Sequence, residues 1–180
     1  MDWYLCENIS GREDAYALLS YAVRHRWKLD RLPEMARTEG GKPYFPAFPQ
    51  YQFNLSHSGS LALCALDEDS VGTDIEVIRP HHPRLDRRIC SEEELDWLKE
   101  QEDKTAALCH LWVRKEAQVK QQGIGLTVPL RSIRVPLPPA SRLDDLFFHS
   151  ICTPEWCACA CAHTPTFTLK RVSREELPAL

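Results

Sequence analysis

Alternation of apolar and polar residues along the chain predicts several β-strands. The stretch Val71–Val77 alternates the two classes with a period of two, which is typical of a strand with two different faces. Residues 61–66 form a continuous apolar run that is short enough for a buried strand. A polar turn, 67–70, separates these runs, so we expect them to pair as a hairpin. Further strands are predicted at 2–6, 147–153, 156–162 and 166–172, and a strand bounded by prolines at 129–139.

Helical spacing of apolar residues predicts three helices. The first covers 14–27, and the second opens at Ser91, where Glu94 three residues later completes a capping box, and extends to about residue 99. The third covers 105–121, and Gly123 and Gly125 are expected to end it. Residues 32–49 are rich in proline and glycine, which favours loop or edge structure.

The predicted elements indicate an α+β fold. The apolar strands at 61–66 and 158–162 both follow a segment that bears a helix, which is a weak internal similarity because buried strands resemble one another. Two similar α+β halves with one site between them would explain it. The sequence His81-His82-Pro83 breaks the pattern, so we place the boundary there, with an N-terminal half at 1–78 and a C-terminal half at 79–180.

Composition narrows the classes of function. The 180 residues are 43% hydrophobic, which is enough for a folded core. The net charge of −4 argues against a general nucleic-acid binder, because such proteins are usually basic. No window approaches the ~18 apolar residues of a membrane span, and the N-terminus lacks a basic segment followed by an apolar run. We therefore expect a cytoplasmic protein that binds neither membranes nor nucleic acid, and the two-half arrangement suggests a monomer.

Eight cysteines occur without any Cys-x-x-Cys pair. Cys157, Cys159 and Cys161 alternate with small residues, so on a strand they would form a straight row facing one way. Tetrahedral zinc requires sulfurs that converge. We therefore favour small hydrophobic residues on a buried strand face over a metal site.

Acidic residues in two segments are the main candidates for chemistry. Asp74 and Glu76 lie two residues apart on a strand and point to the same side, whereas Glu116 and Lys120 lie one helical turn apart. If the helix packs on that strand, three carboxylates and one ammonium meet. Such carboxylates need a counter-ion to stay charged together, and their oxygens suit Mg²⁺.

Each candidate also has a simpler explanation. Asp74 and Glu76 could form a solvated strand face, and Glu116 with Lys120 an ordinary surface pair worth ~0.3–0.5 kcal/mol. Trp112 is best explained as a core aromatic that supports the helix. Ser56 and His57 suit phosphate oxygens as hydrogen-bond donors, although a serine next to a histidine is more often structural.

Four motifs in order resemble the Sfp-type 4′-phosphopantetheinyl transferases. The family's Gly-Lys-Pro element stands at 41–43, and its Asn-Leu-Ser-His-Ser-Gly element at 54–59. Its Gly-x-Asp-x-Glu strand stands at 72–76, and its Trp-x-x-Lys-Glu-Ala-x-x-Lys helix at 112–120. Each motif alone is weak, but four with matching order and spacing over about eighty residues are specific.

The resemblance implies a fold, a reaction and site residues. Such enzymes are pseudo-dimers of two α+β halves with coenzyme A in the cleft, and they transfer its phosphopantetheine arm to a serine of an apo acyl or peptidyl carrier protein, releasing 3′,5′-ADP. By position, Asp74, Glu76 and Glu116 are similar to the Mg²⁺ ligands. Lys42, Ser56 and His57 are similar to the coenzyme A phosphate contacts. Glu116 would help to deprotonate the carrier serine, and Lys120 would stabilise the departing phosphate.

The chain departs from the family at its N-terminal half, which is short. Some of the basic residues that hold the coenzyme A phosphates come from that region in the family, and Arg24 is the candidate replacement here. A non-catalytic module that binds carrier proteins or coenzyme A is therefore the alternative. Carrier proteins are usually acidic, and basic residues 84, 87 and 88 are candidates for their docking.

Overall fold

Two four-stranded sheets and two long helices make up the core of the computed structural model, which describes residues 1–125 and 128–179. Its helices and strands are β1 (Asp2–Glu7), α1 (Arg12–Trp27), β2 (Ala36–Arg37), β3 (Pro43–Tyr44), β4 (Gln52–Ser58), β5 (Leu61–Asp67), β6 (Val71–Val77), α2 (Asp86–Ile89), α3 (Glu92–Lys99), α4 (Lys104–Gln122), β7 (Arg142–Leu143), β8 (Leu146–Cys152), β9 (Trp156–Ala162) and β10 (Thr168–Val172). Short 3₁₀ turns lie at Leu130–Ser132 and Arg174–Glu176.

The two sheets differ in strand direction. The first has the order β10-β1-β5-β4, in which β5 runs antiparallel to both its neighbours while β1 and β10 are parallel. The second has the order β6-β9-β8-β7 and is antiparallel throughout. The α+β class is confirmed, but the expectation of antiparallel sheets is wrong for the first sheet, which is mixed because the C-terminal strand joins β1 in parallel.

The predicted hairpin of residues 61–66 with 71–77 is wrong. Strand β5 pairs with β1 on one side and β4 on the other, so both of its edges are occupied. The chain therefore changes sheets after the turn, and β6 pairs with β9 instead. The apolar side chains of the two strands still meet, because Leu63 and Ile75 belong to one buried cluster between the sheets.

Successive side chains of a strand point to opposite faces of its sheet, and each face packs against a different layer of the protein. Leu18, Leu19 and Ala22 of α1 pack on one face of the first sheet, and the other face packs on the second sheet. Strand β9 shows the pattern most clearly. Ala158 and Ala160 face the first sheet, whereas the three cysteines of this strand pack with α4. These cysteines are buried free thiols, which confirms that they are small hydrophobic residues on a buried strand face.

The helix ends agree with the sequence prediction. The Ser91 hydroxyl accepts a hydrogen bond from the Glu94 N–H, and the Glu94 carboxylate accepts one from the Ser91 N–H, so the capping box that opens α3 is confirmed. Helix α4 ends at Gly123, which adopts a left-handed conformation with φ 69°. Glycine suits this position because it has no Cβ to clash there.

The strand predicted at 129–139 is wrong. The structure has a 3₁₀ turn at Leu130–Ser132 followed by irregular chain. Carbonyl groups of this segment accept hydrogen bonds from side chains of α4 instead of a neighbouring strand. Lys115 Nζ contacts the carbonyls of Leu130 and Ile133, and Arg114 donates to that of Pro136.

The sheets do not follow the predicted division at residue 78. Strand β6 lies before that boundary and pairs in the second sheet, whereas β10 lies after it and pairs in the first. The two-half arrangement itself stays a prediction. Among the described residues, no helix combines the length and apolar character that crossing a bilayer requires.

Candidate active site

Side chains of β4 join the two sheets at their edges. Asn54, Ser56 and Ser58 alternate along β4, so they point the same way, toward the edge of β6. Each accepts a hydrogen bond from a backbone N–H of β6, in the place where a neighbouring strand would offer carbonyls. The pairs are Thr73 N–H to Asn54 at 2.9 Å, Ile75 N–H to Ser56 at 3.4 Å and Val77 N–H to Ser58 at 3.2 Å. We call these three side chains the polar seam.

The polar seam also orients the two acids of β6. Ser56 Oγ donates to Asp74 Oδ1 at 2.7 Å, and Ser58 Oγ donates to Glu76 Oε2 at 2.7 Å. Each serine hydroxyl therefore accepts from the backbone of β6 and donates to a carboxylate of the same strand. The Asn-Leu-Ser-His-Ser motif therefore has a structural role, since its two serines hold the carboxylates of β6 in place. The resemblance to phosphate-binding residues did not predict this role.

Helix α4 lies directly over the acids because β6 has a glycine at the contact. A Cβ at Gly72 would overlap the carbonyl oxygen of Ala117 and the amide nitrogen of Gln121. This close approach brings Lys120 Nζ to 2.6 Å from Asp74 Oδ1 and 3.2 Å from Ser56 Oγ. Lys120 thus pairs with the strand carboxylate, and not with Glu116 as the surface explanation supposed.

All three predicted acids line one cleft. This acidic cleft has a volume of about 340 Å³ and brings Asp74 and Glu76 of β6 together with Glu116 and Lys120 of α4. Trp112 lines it as well and also packs against the core beneath α4. The remaining lining residues are Leu55, Ser56 and His57. The sequence prediction that the helix face meets the strand face agrees with this arrangement.

Burial and mutual repulsion act on the acids of the cleft. The pKa of Glu116 is raised, mainly by desolvation and then by the charge of Asp74, although Lys120 opposes the shift. Desolvation also raises the pKa of Glu76, while the hydrogen bond from Ser58 lowers it. A cation among these groups would relieve both causes, because it favours the charged form of each.

The carboxylate oxygens of the acidic cleft suit a hard cation, although the three acids do not converge on one position. Within residues 1–125 and 128–179, no three Asp, Glu, His or Cys side chains converge as a metal-binding group. However, Asp74 Oδ2 is buried, and no described residue forms a hydrogen bond with it. A buried carboxylate oxygen without a partner is costly. Mg²⁺ prefers such oxygen ligands and usually keeps several waters, so a partial protein set is compatible with it.

A larger basic cleft opens beside the acidic one. It has a volume of about 390 Å³, and the two share Leu55, His57, Glu116 and Lys120. Five basic side chains line it against one carboxylate, so the cleft suits a polyanionic ligand. They are Arg12, Arg37, Lys42, His57 and Lys120.

Lys42 lies at the edge of this basic cleft but is bound to the protein. Its ammonium donates to Ser70 Oγ at 2.9 Å and to the Gln121 carbonyl at 2.9 Å, at the C-terminal end of α4. Burial lowers the pKa of Lys42 to about 8. Lys42 therefore caps α4 in this structure, and a ligand phosphate would have to compete with these two acceptors.

The other predicted phosphate contacts divide into three cases. His57 is exposed and lines both clefts, whereas the Ser56 hydroxyl is engaged by Asp74. Arg24 does not line the basic cleft; it lies in the last turn of α1, where its Nε donates to the Asp30 carbonyl at 2.9 Å. The structure therefore does not bring Arg24 to the other site residues.

Sequence reasoning missed two arginines of the basic cleft. Arg12 is at the start of α1, and its guanidinium donates to the Tyr16 hydroxyl at 3.3 Å. Arg37 lies on β2 and donates to the Gly41 carbonyl at 2.7 Å. Arg12 lies two residues before the helix predicted at 14–27, where nothing in the helical pattern indicates a ligand contact. Arg37 lies in the stretch 32–49, which has no periodic pattern, so only its proximity to the Gly-Lys-Pro motif could have indicated it.

Comparisons with known proteins identify the family of this chain. The family model of the 4′-phosphopantetheinyl transferase superfamily matches residues 70–164, which include β6, α4 and β9. The chain is 32% identical to 4′-phosphopantetheinyl transferase Sfp of Bacillus subtilis, over 96% of this chain and 86% of that protein. It is 32% identical to 4′-phosphopantetheinyl transferase ffp of Bacillus subtilis, over 90% of this chain and 71% of that protein. It is 42% identical to 4′-phosphopantetheinyl transferase AcpT of Salmonella typhimurium, over 70% of each chain. The protein therefore belongs to the 4′-phosphopantetheinyl transferase superfamily.

Proposed function

We propose that this protein transfers the 4′-phosphopantetheine arm of coenzyme A to a serine of an apo carrier protein and releases 3′,5′-ADP. The observation that carries the proposal is the contiguity of the two clefts. A basic cleft able to take a polyanion opens onto three carboxylates and the ammonium of Lys120. The family membership supplies the reaction class.

The basic cleft is our candidate site for coenzyme A. Its phosphates are dense anions, and Arg12, Arg37 and His57 offer charged or polar donors from three separate elements. Lys42 contributes positive charge from the edge of the cleft. The pyrophosphate would then lie where the clefts join, next to Glu116 and Lys120, which line both.

The acidic cleft is our candidate site for the chemistry. Serine is a poor nucleophile at neutral pH, so its hydroxyl proton needs an acceptor, and we assign this role to Glu116. The serine oxygen forms a bond to the phosphorus of the phosphopantetheine group as the bond to 3′,5′-ADP breaks. Lys120 lies within this cleft and would stabilise the charge that develops on the departing phosphate.

We assign Asp74, Glu76 and Glu116 as the residues that would hold Mg²⁺. The unpartnered Asp74 Oδ2 and the raised pKa of the two glutamates support this assignment. When bound, the ion would neutralise charge on the pyrophosphate. The chain's own contribution is to hold the carboxylates in place through Ser56 and Ser58.

A mass measurement on the carrier tests the proposal. The protein is incubated with coenzyme A, Mg²⁺ and several apo acyl and peptidyl carrier proteins, and the carriers are weighed. We expect one or more carriers to gain the mass of one phosphopantetheine group, and chelation of the metal to stop the gain. Coenzyme A binding in calorimetry without a mass gain on any carrier would instead favour a non-catalytic binding module.

A matched pair of variants tests the assigned cleft. Asp74→Asn removes the charge that faces Lys120, and we expect transfer to fall by about 10²-fold or more, because charge at the reacting centre is lost. The control is Asp96→Asn, which removes the carboxylate of the exposed Asp96–Lys99 pair and should leave transfer unchanged. Equal rates for the two folded variants would contradict the assignment of Asp74.

A further inference from the structure

Two cysteines lie directly opposite each other at the end of the β8–β9 hairpin. Cys152 ends β8 and pairs in register with Cys157 of β9. The next pair toward the turn is joined by a backbone hydrogen bond, from the Thr153 N–H to the Trp156 carbonyl at 2.8 Å. Hydrogen-bonded and non-hydrogen-bonded pairs alternate along an antiparallel ladder, so the cysteines occupy a non-hydrogen-bonded position.

That position suits a disulfide. The Cα atoms of a non-hydrogen-bonded pair are about 4.5 Å apart, and a disulfide accepts Cα separations of about 4.4–6.8 Å. Both side chains also point to the same face of the sheet, because paired residues share a face. A bond between the two sulfurs would therefore require no rearrangement of the hairpin.

The surroundings of Cys152 favour its thiolate. Arg114 of α4 is 3% exposed and donates to the carbonyls of Pro136 and Ala140 and to Ser150 Oγ. In the described part of the chain, no carboxylate forms an ion pair with Arg114. A buried cation without an anionic partner stabilises a nearby negative charge.

His110 also forms a hydrogen bond with Cys152. Arg114 Nε donates to His110 Nε2 at 3.1 Å, so the ring proton of a neutral His110 is on Nδ1. The pKa of Cys152 is lowered by a hydrogen bond with the Cys157 thiol and by His110 and Arg114, while burial opposes the shift. As a residue Cys152 is exposed although its thiol is partly desolvated, whereas Cys157 is buried. A partly exposed thiol in electropositive surroundings is the typical setting of a reactive cysteine.

We propose that Cys152 and Cys157 form a redox-active dithiol that hydroperoxides oxidise to a disulfide. The Cys152 thiolate attacks one oxygen of hydrogen peroxide, the O–O bond breaks, and the product is a sulfenic acid with hydroxide as the leaving group. The Cys157 thiol then attacks the sulfenic sulfur, the S–S bond forms, and water leaves. The two sulfurs lose two electrons in total, and the peroxide gains them.

A third thiol, that of Cys109, is the competing partner for a disulfide with Cys157. Cys109 of α4 lies near Cys157 and donates a hydrogen bond to the Glu76 carbonyl at 3.6 Å. Cys157 is also the register partner of Glu76, so the dithiol lies next to the acidic cleft. A Cys109–Cys157 bond would link a helix to a strand, whereas the Cys152–Cys157 bond stays within one hairpin and does not displace α4.

Peptide mapping of the folded, full-length protein tests the dithiol. The protein is treated with stoichiometric hydrogen peroxide at pH 7, quenched by alkylation in denaturant, and cleaved after glutamate. Cleavage after Glu155 separates Cys152 from Cys157, so a disulfide between them joins two peptides. We expect the number of free thiols to fall from eight to six, and a thiol reductant to restore all eight.

Variants separate the two possible disulfides. Cys152→Ser should form no disulfide, and Cys157→Ser should accumulate sulfenic acid at residue 152, trapped by a dione reagent. Cys109→Ser is the matched control and should oxidise as the parent protein does. With iodoacetamide at pH 7, Cys152 should alkylate at least about tenfold faster than Cys109.

Two results would overturn this inference. One is a peptide that joins Cys109 to Cys157 with full retention of that linkage in Cys152→Ser. The other is a parent protein that keeps eight free thiols under peroxide concentrations that oxidise a small-molecule thiol. If Cys157→Ser does not fold, the parent, Cys152→Ser and Cys109→Ser still decide the question. None of these readouts depends on transferase activity.

Discussion

At the scale of single residues, Glu116 combines an assigned chemical role with a cost to folding. Glu116 lies on α4, its carboxylate is partly buried in the acidic cleft, and the charge of Asp74 repels it. Both effects raise its pKa, so the folded state binds its proton more tightly than the unfolded state does. Stability therefore falls as pH rises from the ordinary glutamate pKa through the raised one, and the cost is present at neutral pH.

Replacing Glu116 should therefore separate stability from activity. We expect Glu116→Gln to raise Tm at pH 7, by on the order of 2 °C for a chain of this length after allowing for solvent screening. The same change should abolish transfer, because the amide cannot accept the serine proton. Calorimetry with and without Mg²⁺, together with the carrier mass assay, measures both effects.

The pH dependence provides a control for this variant. Below about pH 3 the carboxyl is protonated in both states, so the Tm difference between parent and Glu116→Gln should vanish. A difference that persists unchanged at low pH would show that side-chain packing, and not charge, causes it. A lower Tm for the variant at pH 7 would contradict the repulsion.

Residue periods predicted which acids share a face but not that the two faces meet or how the acids are held. The strand period places Asp74 and Glu76 on one side of β6, and the helix period places Glu116 and Lys120 on one side of α4. Lys115 could not be assigned in this way. It is fully buried and forms an ion pair with Glu94 of α3, a partner that no local pattern around Lys115 indicates.

At the scale of elements, the contact of β6 with α4 depends on Gly72. A methyl group there would overlap backbone atoms of Ala117 and Gln121, which cannot rotate away as a side chain can. We expect Gly72→Ala to lower the free energy of unfolding by about 1–3 kcal/mol and to reduce transfer, because α4 carries Glu116 and Lys120. Urea unfolding and the carrier assay measure these effects.

The control for this variant is Gly11→Ala. A Cβ at Gly11 meets no atom within 4 Å, and its backbone is extended. The change should cost no more than about 0.5–1 kcal/mol, the scale of a helix N-cap preference, and leave transfer unaffected. Equal stability and equal transfer in the two variants would contradict the close approach of α4 to β6.

The buried ion pair of Lys115 with Glu94 links α3 to α4. The two groups are 2.7 Å apart, and Lys115 also bonds the carbonyls of Leu130 and Ile133. We expect Lys115→Met to destabilise the protein by about 3–5 kcal/mol, because it leaves the buried carboxylate of Glu94 without its cationic partner. Lys99→Met removes one member of an exposed pair and should cost about 0–1 kcal/mol. Urea unfolding of both variants checks the difference.

Elements with their own local signals were predictable, and those that depend on distant partners were not. The capping box of α3 and the glycine that ends α4 are local, so the sequence contained them. The segment 129–139 was predicted as a strand bounded by prolines, but three of its carbonyls accept hydrogen bonds from Arg114 and Lys115 of α4. No local pattern could indicate those partners.

At the scale of the whole molecule, the sheets join through side chains and not through a continuous ladder. Strands β4 and β6 are the edges that face each other, and the polar seam replaces the backbone pairing between them. The predicted hairpin of β5 with β6 was wrong because of the same sheet arrangement. Strands that follow each other in sequence usually pair, but both edges of β5 are already paired, one with β1 and the other with β4.

Asn54 tests whether the polar seam holds the molecule together. It is 4% exposed, and its side-chain carbonyl accepts the Thr73 N–H from the other sheet. Asn54→Ala would leave that N–H buried without its partner, so we expect the free energy of unfolding to fall by about 1–3 kcal/mol. Gln52→Ala, at the half-buried start of the same strand, removes only an exposed hydrogen bond to the Pro49 carbonyl and should change it by less than about 0.5 kcal/mol. Because Leu63 and Ile75 also pack between the sheets, unfolding in urea should stay a single transition. Two separate transitions in Asn54→Ala would mean that the seam alone couples the sheets, and no loss of stability would mean that the seam does not couple them.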